Sequence, residues 1–407
     1  MAILNGMRVV EGSAFVAIPL AGMTLAQMGA DVIRFDRLEG GLDARRWPVA
    51  PNGRSLFWAG LNKGKRSVAV DMKSPEGREL ITRIVTAPGE DAGLFLTNLR
   101  VRGWMDYETL SRHRADLVML TLTGDRHGRA AVDYTVNPSL GFPDATGPEG
   151  STDPVAHVLP AWDCIAGNMA VAGLLAAERA RLRTGRGQQV EVALKDVAAA
   201  MLGNLGILGE TELTGQSRPK AGNALYGAYG QDFVCACGRR VMVVGLTQRQ
   251  WRGLLDVTGT AEEMDALARR LGRDLSQEGE RWHARHEITA ILEPWFAARK
   301  VADFADAFDK AGVAWSVFRD FRTAMEEDPD LSTENPLFTR IDQPGIGELL
   351  TPQSPFAFSA ARRADPAPAP QLGQHTEEVL ADVAGLSSGE IGRLFDKGVV
   401  GGPVPAA

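Results

Sequence analysis

Cysteine is scarce: the chain of 407 residues has three, Cys164, Cys235 and Cys237. An odd number closes no complete disulfide framework, and Cys235-Ala236-Cys237 lacks the second pair that a tetrahedral zinc site needs, so neither a disulfide scaffold nor a metal site is expected. Histidine is nearly as rare, with six scattered residues. No Gly-x-Ser-x-Gly elbow accompanies them, which speaks against a Ser-His-Asp hydrolase. Positive charge is not in excess either: 44 Lys and Arg against 51 Asp and Glu give a formal net charge of -7. That balance disfavours a nucleic-acid surface and confines any anion site to a local pocket. No apolar run is long enough to span a bilayer, so no membrane partner is expected and the chain reads as soluble and cytoplasmic.

What is present is an α/β grammar. A chain of this length exceeds one hydrophobic core, so two domains are expected. Short apolar runs predict strands at Met7–Val10, Val32–Phe35, Leu94–Thr97 and Leu117–Leu122. Helical spacing predicts helices at Leu20–Met28, after Pro19, and at Pro75–Val85, with Leu80, Ile81, Ile84 and Val85 on one face. Alternation of this kind is that of a parallel, Rossmann-like sheet with helical crossovers. A long Ala- and Leu-rich helix is predicted over Ile165–Leu182, stopped by Thr184-Gly185-Arg186-Gly187 and followed by a strand at Gln189–Ala193. From about Ala224 the pattern changes to a hairpin around Gly238 and then charged helices, marking a smaller α+β domain. The expected layout is a large domain in residues 1–200, a linker at 201–223, the small domain at 224–330 and a return segment at 331–407. That last segment is extended through Pro366, Pro368 and Pro370, closes with a helix at Glu377–Val383, and packs back on the first domain.

Three groups of residues invite a chemical reading. The first strand-loop-helix-strand unit ends in Asp36, as in dinucleotide-binding folds, but Gly12, Gly22 and Gly29 do not make GxGxxG. Val16-Ala17-Ile18-Pro19 fills the turn where a pyrophosphate needs close backbone approach, which argues against NAD. Arg34, Arg37, Arg45, Arg46, Asn62, Lys63, Lys65, Arg66 and Asn98 cluster near the early strands. Ligands of a doubly wound sheet lie beyond the strand carboxyl ends, where such residues meet a phosphate, although a solvated charged face has the same composition. Asp163, in Leu159-Pro160-Ala161-Trp162-Asp163-Cys164, stands where a helix N-cap is expected. A cap and an ionised nucleophile at a positive dipole end share this local sequence.

Five stretches, in order, resemble the class III CoA-transferases. They are Leu4-Asn5-Gly6-Met7-Arg8-Val9-Val10, Gly29-Ala30-Asp31-Val32-Ile33-Arg34-Phe35-Asp36, Asn62-Lys63-Gly64-Lys65-Arg66-Ser67-Val68-Ala69-Val70-Asp71, Thr184-Gly185-Arg186-Gly187-Gln188-Gln189-Val190, and Leu372-Gly373-Gln374-His375-Thr376-Glu377-Glu378-Val379-Leu380. The resemblance spans nearly the whole chain. It implies a Rossmann-like large domain built from both chain ends, a small domain between them, and an interlocked homodimer. It also implies an acyl-CoA substrate with no separate cofactor, and it puts the family's nucleophilic aspartate on Asp163. Arg37, Lys65, Arg66 and Asn98 become the candidates for contact with the CoA nucleotide. Ala130 stands where the racemase subgroup has its histidine, so two-base racemisation is not expected. Val16 stands where formyl-CoA transferase has a glutamine, which argues against oxalate as acceptor. Val10-Glu11-Gly12-Ser13-Ala14-Phe15-Val16-Ala17, Leu56-Phe57-Trp58-Ala59-Gly60-Leu61-Asn62 and Leu159–Asp163 are similar to a subgroup that moves CoA between two carboxylates of one molecule. Transfer to a separate carboxylic acid by the same Asp163 is the alternative.

Overall fold

The computed structural model describes residues 2–99, 102–363 and 365–403. These divide into two compact units, one drawn from Met1–Leu140, His157–Leu208 and Pro329–Ala407, the other from Gly141–Ala156 and Gly209–Asp328. The small unit thus recruits a segment from inside the first half of the chain and begins upstream of the expected 224.

The large unit is built on β1 (Arg8–Gly12), β2 (Asp31–Asp36), β3 (Arg66–Val70), β4 (Leu94–Thr97), β5 (Val118–Thr123) and β6 (Gln188–Ala193). They lie in the order β3-β2-β1-β4-β5-β6, all parallel, and the short strand Val400–Gly401 adds antiparallel to β3. This is the doubly wound order, whose topological switch lies between β1 and β4. Strand β3 was not expected as a strand, and neither was the hairpin of Phe338–Gln343 with Gly347–Pro352. The interior is apolar, with Val9, Ile33, Val68, Phe95 and Leu120 essentially inaccessible and Phe35 stacked on Phe95 at 6.2 Å.

Local chemistry sets the helix limits. Helix Pro75–Val85 starts where predicted because Ser74 accepts from the Gly77 N–H at 3.0 Å and Pro occupies the first turn, where no N–H is required. The long helix runs from Ala161 to Thr184 and stops at Gly185, whose φ of 69° is the left-handed C-terminal conformation that glycine favours. Gly187 answers a different need, since a Cβ there would lie 2.0 Å from the Leu117 carbonyl oxygen at the start of β5.

The return segment locks the sheet edge. The Ser67 N–H donates to His375 Nδ1, the His375 N–H donates to the Ser67 carbonyl, and Thr376 Oγ1 accepts from the Ala69 N–H. Further along, Trp58 Nε1 donates to the Pro370 carbonyl at 2.8 Å. The small unit has the antiparallel sheet β7 (Tyr229–Val234), β8 (Arg240–Gly245) and β9 (Ala314–Val317), covered by helices. The expected hairpin turns at Gly238, and Phe233, Phe296, Phe304 and Phe308 form its aromatic core.

Candidate active site

Asp163 lies in the first turn of helix Ala161–Thr184, three residues after Pro160, so it is not the N-cap residue that its local sequence suggested. The cap comes from a distant residue. Asp133, fully buried, accepts from the backbone N–H of Trp162 at 2.7 Å and of Asp163 at 3.2 Å through Oδ2, while its Oδ1 is 2.9 Å from His157 Nε2. Trp162 Nε1 donates to Asn137 Oδ1 at 3.1 Å, so the indole beside Asp163 has one orientation. The Cys164 N–H is bonded to the Pro160 carbonyl and the Ala161 N–H to the Leu159 carbonyl. The opening N–H groups of this helix are therefore already engaged. They are not free to serve as oxyanion donors in this arrangement.

With its backbone held and its carboxyl half-buried, Asp163 becomes a weak acid. Burial is the larger cause, the Asp133 carboxylate adds to it and Arg46 partly opposes both, leaving the group pushed up to about 6 from an ordinary 3.8. A carboxylate of that basicity is still ionised at neutral pH. It is also a stronger nucleophile toward a thioester than an exposed aspartate.

The start of the helix Ala17–Gln27, where the loop from β1 ends, packs against helix Ala161–Thr184 one turn further on. Gly167, one turn beyond Asp163, has no room for a Cβ because the Ala17 carbonyl oxygen would be 2.6 Å away. Phe15 has a φ of 66°, an unfavourable left-handed conformation for an aromatic residue. Two side chains hold it. Asn98 accepts from the Ala14 N–H and donates to the Ala14 carbonyl, and Asp43 accepts from the Phe15 N–H at 2.8 Å. Such strain persists only where the surroundings impose it and concentrates at functional sites.

Of the four residues expected at the CoA nucleotide, the structure brings Arg37 to a cavity and takes the others elsewhere. A cavity of about 660 Å³ opens beyond the carboxyl ends of β1–β4, lined by Ser13, Ala14, Arg37, Lys73, Leu99 and Trp104 among others. Lys65 is inaccessible to solvent. Its Nζ is 2.8 Å from Glu11 Oε2 and donates to the Pro19 carbonyl and Asn62 Oδ1, so it neutralises a buried acid beneath the helix. Arg34 is equally buried, held by Asp36, Asp43 and Asn62. Arg66 stands at the amino end of β3, where it pairs with Asp31, Glu378 and Asp382. Asn98 clamps backbone, as described. A second cavity of about 610 Å³ in the small unit is lined by Glu149, Asp232 and Glu293, a poor match for phosphates.

Asp133, His157, Phe15 and Asp43 are the residues that sequence reasoning missed. Asp133 is separated by 30 positions from Asp163 and no spacing rule links them. The only available signal was its place three residues after Ala130, the position compared with the racemase subgroup's histidine.

Relatives extend this geometry. The sequence profile of CoA-transferase family III matches residues 4–376. The chain is 56% identical over 406 residues to 2-methylfumaryl-CoA isomerase of Chloroflexus aurantiacus, covering 100% of this chain and 99% of that one. It is 28% identical to succinyl-CoA:mesaconate CoA-transferase of Haloarcula hispanica over 96% of this chain and 98% of the other. Among solved structures, a CaiB/BaiF family protein from Brucella suis superposes with a TM-score of 0.75 at 27% identity, covering 94% of this chain and 99% of that one.

Proposed function

The chain belongs to CoA-transferase family III, and we propose that its chemistry runs on Asp163 as a covalent nucleophile. The activity is intramolecular CoA transfer, converting 2-methylfumaryl-CoA to 3-methylfumaryl-CoA. The observation that supports the mechanism is the Asp163 carboxyl itself, presented on a helix turn that a distant carboxylate holds from behind.

In the proposed cycle Asp163 attacks the C1 thioester carbonyl, forming a mixed anhydride and releasing CoA thiolate. The thiolate attacks the aspartyl carbonyl of the anhydride, giving an Asp163–CoA thioester and free mesaconate. Mesaconate turns, and its other carboxylate attacks that thioester to form a second anhydride, again releasing thiolate. Attack of the thiolate on the mesaconyl C4 carbonyl yields the isomer and restores the Asp163 carboxylate. Every bond made is matched by one broken, and no oxidant or external acid is needed. Retaining mesaconate in the pocket makes the second half-reaction effectively unimolecular.

The CoA nucleotide occupies the 660 Å³ cavity at the strand carboxyl ends, with Arg37 and Lys73 as its exposed cations. Ser13 and Ala14 form part of its wall and lead into the helix that packs against helix Ala161–Thr184. The working form is a homodimer, in keeping with helix Ile207–Thr214, none of whose residues is buried, and with the exposed Leu205 and Leu213. No helix of the described residues is long and apolar enough to cross a membrane.

The test is incubation with 2-methylfumaryl-CoA and an excess of isotopically labelled free mesaconate. Unlabelled C4 ester is the expected product, and heavy labelling would point to ordinary intermolecular transfer. Undiminished turnover in Asp163→Ala would refute the mechanism.

A further inference from the structure

The proposed cycle places a demand that Asp163 cannot meet. Between the two half-reactions the acyl group is a free dicarboxylate that must neither leave nor lose its orientation, so the end not bonded to Asp163 needs a cation. Lys65 and Arg34 are consumed by buried acids, and Arg66 by Asp31, Glu378 and Asp382. Arg46 is different. Its guanidinium lies over the rings of Phe15, 5.4 Å to the centroid, and Phe57, 5.1 Å, and no carboxylate is within ion-pair distance among the described residues. It is also the cation whose field reaches Asp163.

The surroundings are built to hold it there. Asp43, in the same turn Leu42–Arg45, accepts from the Phe15 N–H with one oxygen and from Arg34 with the other. One buried carboxylate thereby ties the strained Phe15, the Arg46 turn and the Arg34 network together. Ser55 Oγ donates to the Arg46 carbonyl at 2.6 Å, fixing its backbone from the opposite side. The helix Ala17–Gln27 that begins beside Phe15 has no side-chain cap and no acidic residue in its first turn, so its positive end is not neutralised locally. A guanidinium lying over two aromatic faces keeps its planar edge free for bidentate carboxylate recognition.

We infer that Arg46, seated on Phe15 and Phe57, binds the substrate carboxylate that is not bonded to Asp163 and so determines both dicarboxylate specificity and retention of the free acid. This rests on the CoA-transfer reading above and deepens it.

The experiment uses Arg46→Gln and Arg46→Lys in the full-length protein with two substrates, 2-methylfumaryl-CoA in the presence of labelled mesaconate, and methacrylyl-CoA, which lacks the second carboxylate and is followed as the Asp163 adduct by mass spectrometry. Loss of one charged hydrogen-bonding partner predicts a rise in KM for 2-methylfumaryl-CoA of about tenfold to a hundredfold in Arg46→Gln. Label appears in its C4 ester, Arg46→Lys recovers part of the loss, and adduct formation from methacrylyl-CoA falls far less than turnover of 2-methylfumaryl-CoA, by only what the lost field at Asp163 costs. An unchanged KM with unlabelled product overturns the inference. So does an equal loss with both substrates, because Arg46 would then be serving the CoA portion that they share. Failure of the unsubstituted protein to form any isomer or Asp163 adduct would bring down the underlying activity itself, which separates the two kinds of failure.

Discussion

Replacing Asp163 by Asn should make the protein more stable while abolishing its turnover. The two carboxylates near the start of helix Ala161–Thr184 repel each other and burial penalises charge, so ionised Asp163 is a cost carried by the folded state. The carboxyl is pushed up from 3.8 to about 6. At about 1.4 kcal/mol per tenfold change in proton affinity, the cost of ionising it reaches about 3 kcal/mol at neutral pH, an upper figure because the group keeps some contact with water. The sign follows from proton counting. Below pH ~4 the carboxyl is protonated in both folded and unfolded chains and contributes nothing. Between pH ~4 and about 6 the folded chain holds the extra proton, so stability falls as pH rises, and above about 6 the full cost is present. Asparagine has nearly the same shape and no charge. Urea unfolding of both proteins from pH 5 to pH 8 should therefore give a stability difference in favour of Asp163→Asn that grows across the acid side and levels off near neutrality. Equal stability at pH 7.5, or a less stable variant, would refute the claim that Asp163 is ionised at a cost.

Three further substitutions test other parts of the site. In Asp133→Asn the side-chain carbonyl still accepts from Trp162 and Asp163 but the repelling charge is gone, so the acid limb of the rate profile, expected near pH 6, should move to lower pH. A limb that stays in place would show that Asp133 does not tune the nucleophile. Lys65→Met should cost about 3 to 5 kcal/mol in unfolding experiments by stranding buried Glu11, whereas Arg37→Gln should leave stability within about 0.5 kcal/mol and weaken CoA binding by isothermal titration. The opposite pattern would return Lys65 to the nucleotide.

The five motifs that resemble the family do mostly architectural work. His375 and Thr376 tie the return segment to β3, Gly187 permits the approach of β6 to β5, and Lys65 and Arg34 neutralise a buried charge network. This explains why they announce the fold so clearly: their side chains are engaged with other parts of the chain. A buried salt-bridge lysine and a phosphate-binding lysine are the same letter in the same strand context, and burial alone separates them.

Periodicity and capping chemistry are local, so the sequence by itself determined the parallel α/β half, the helix Pro75–Val85, the stop at Gly185 and the hairpin at Gly238. The resemblance, carried by short ordered stretches, likewise singled out Asp163. What only the tertiary structure decided was its environment. Asp133 caps a helix at Trp162, 29 residues away from it, Asn98 and Asp43 hold a loop 84 and 28 positions distant, and Arg46 lies over Phe15 and Phe57 with no carboxylate at ion-pair distance among the described residues. Those relations depend on which elements the folded sheet brings side by side, and no repeat or spacing in one dimension records them.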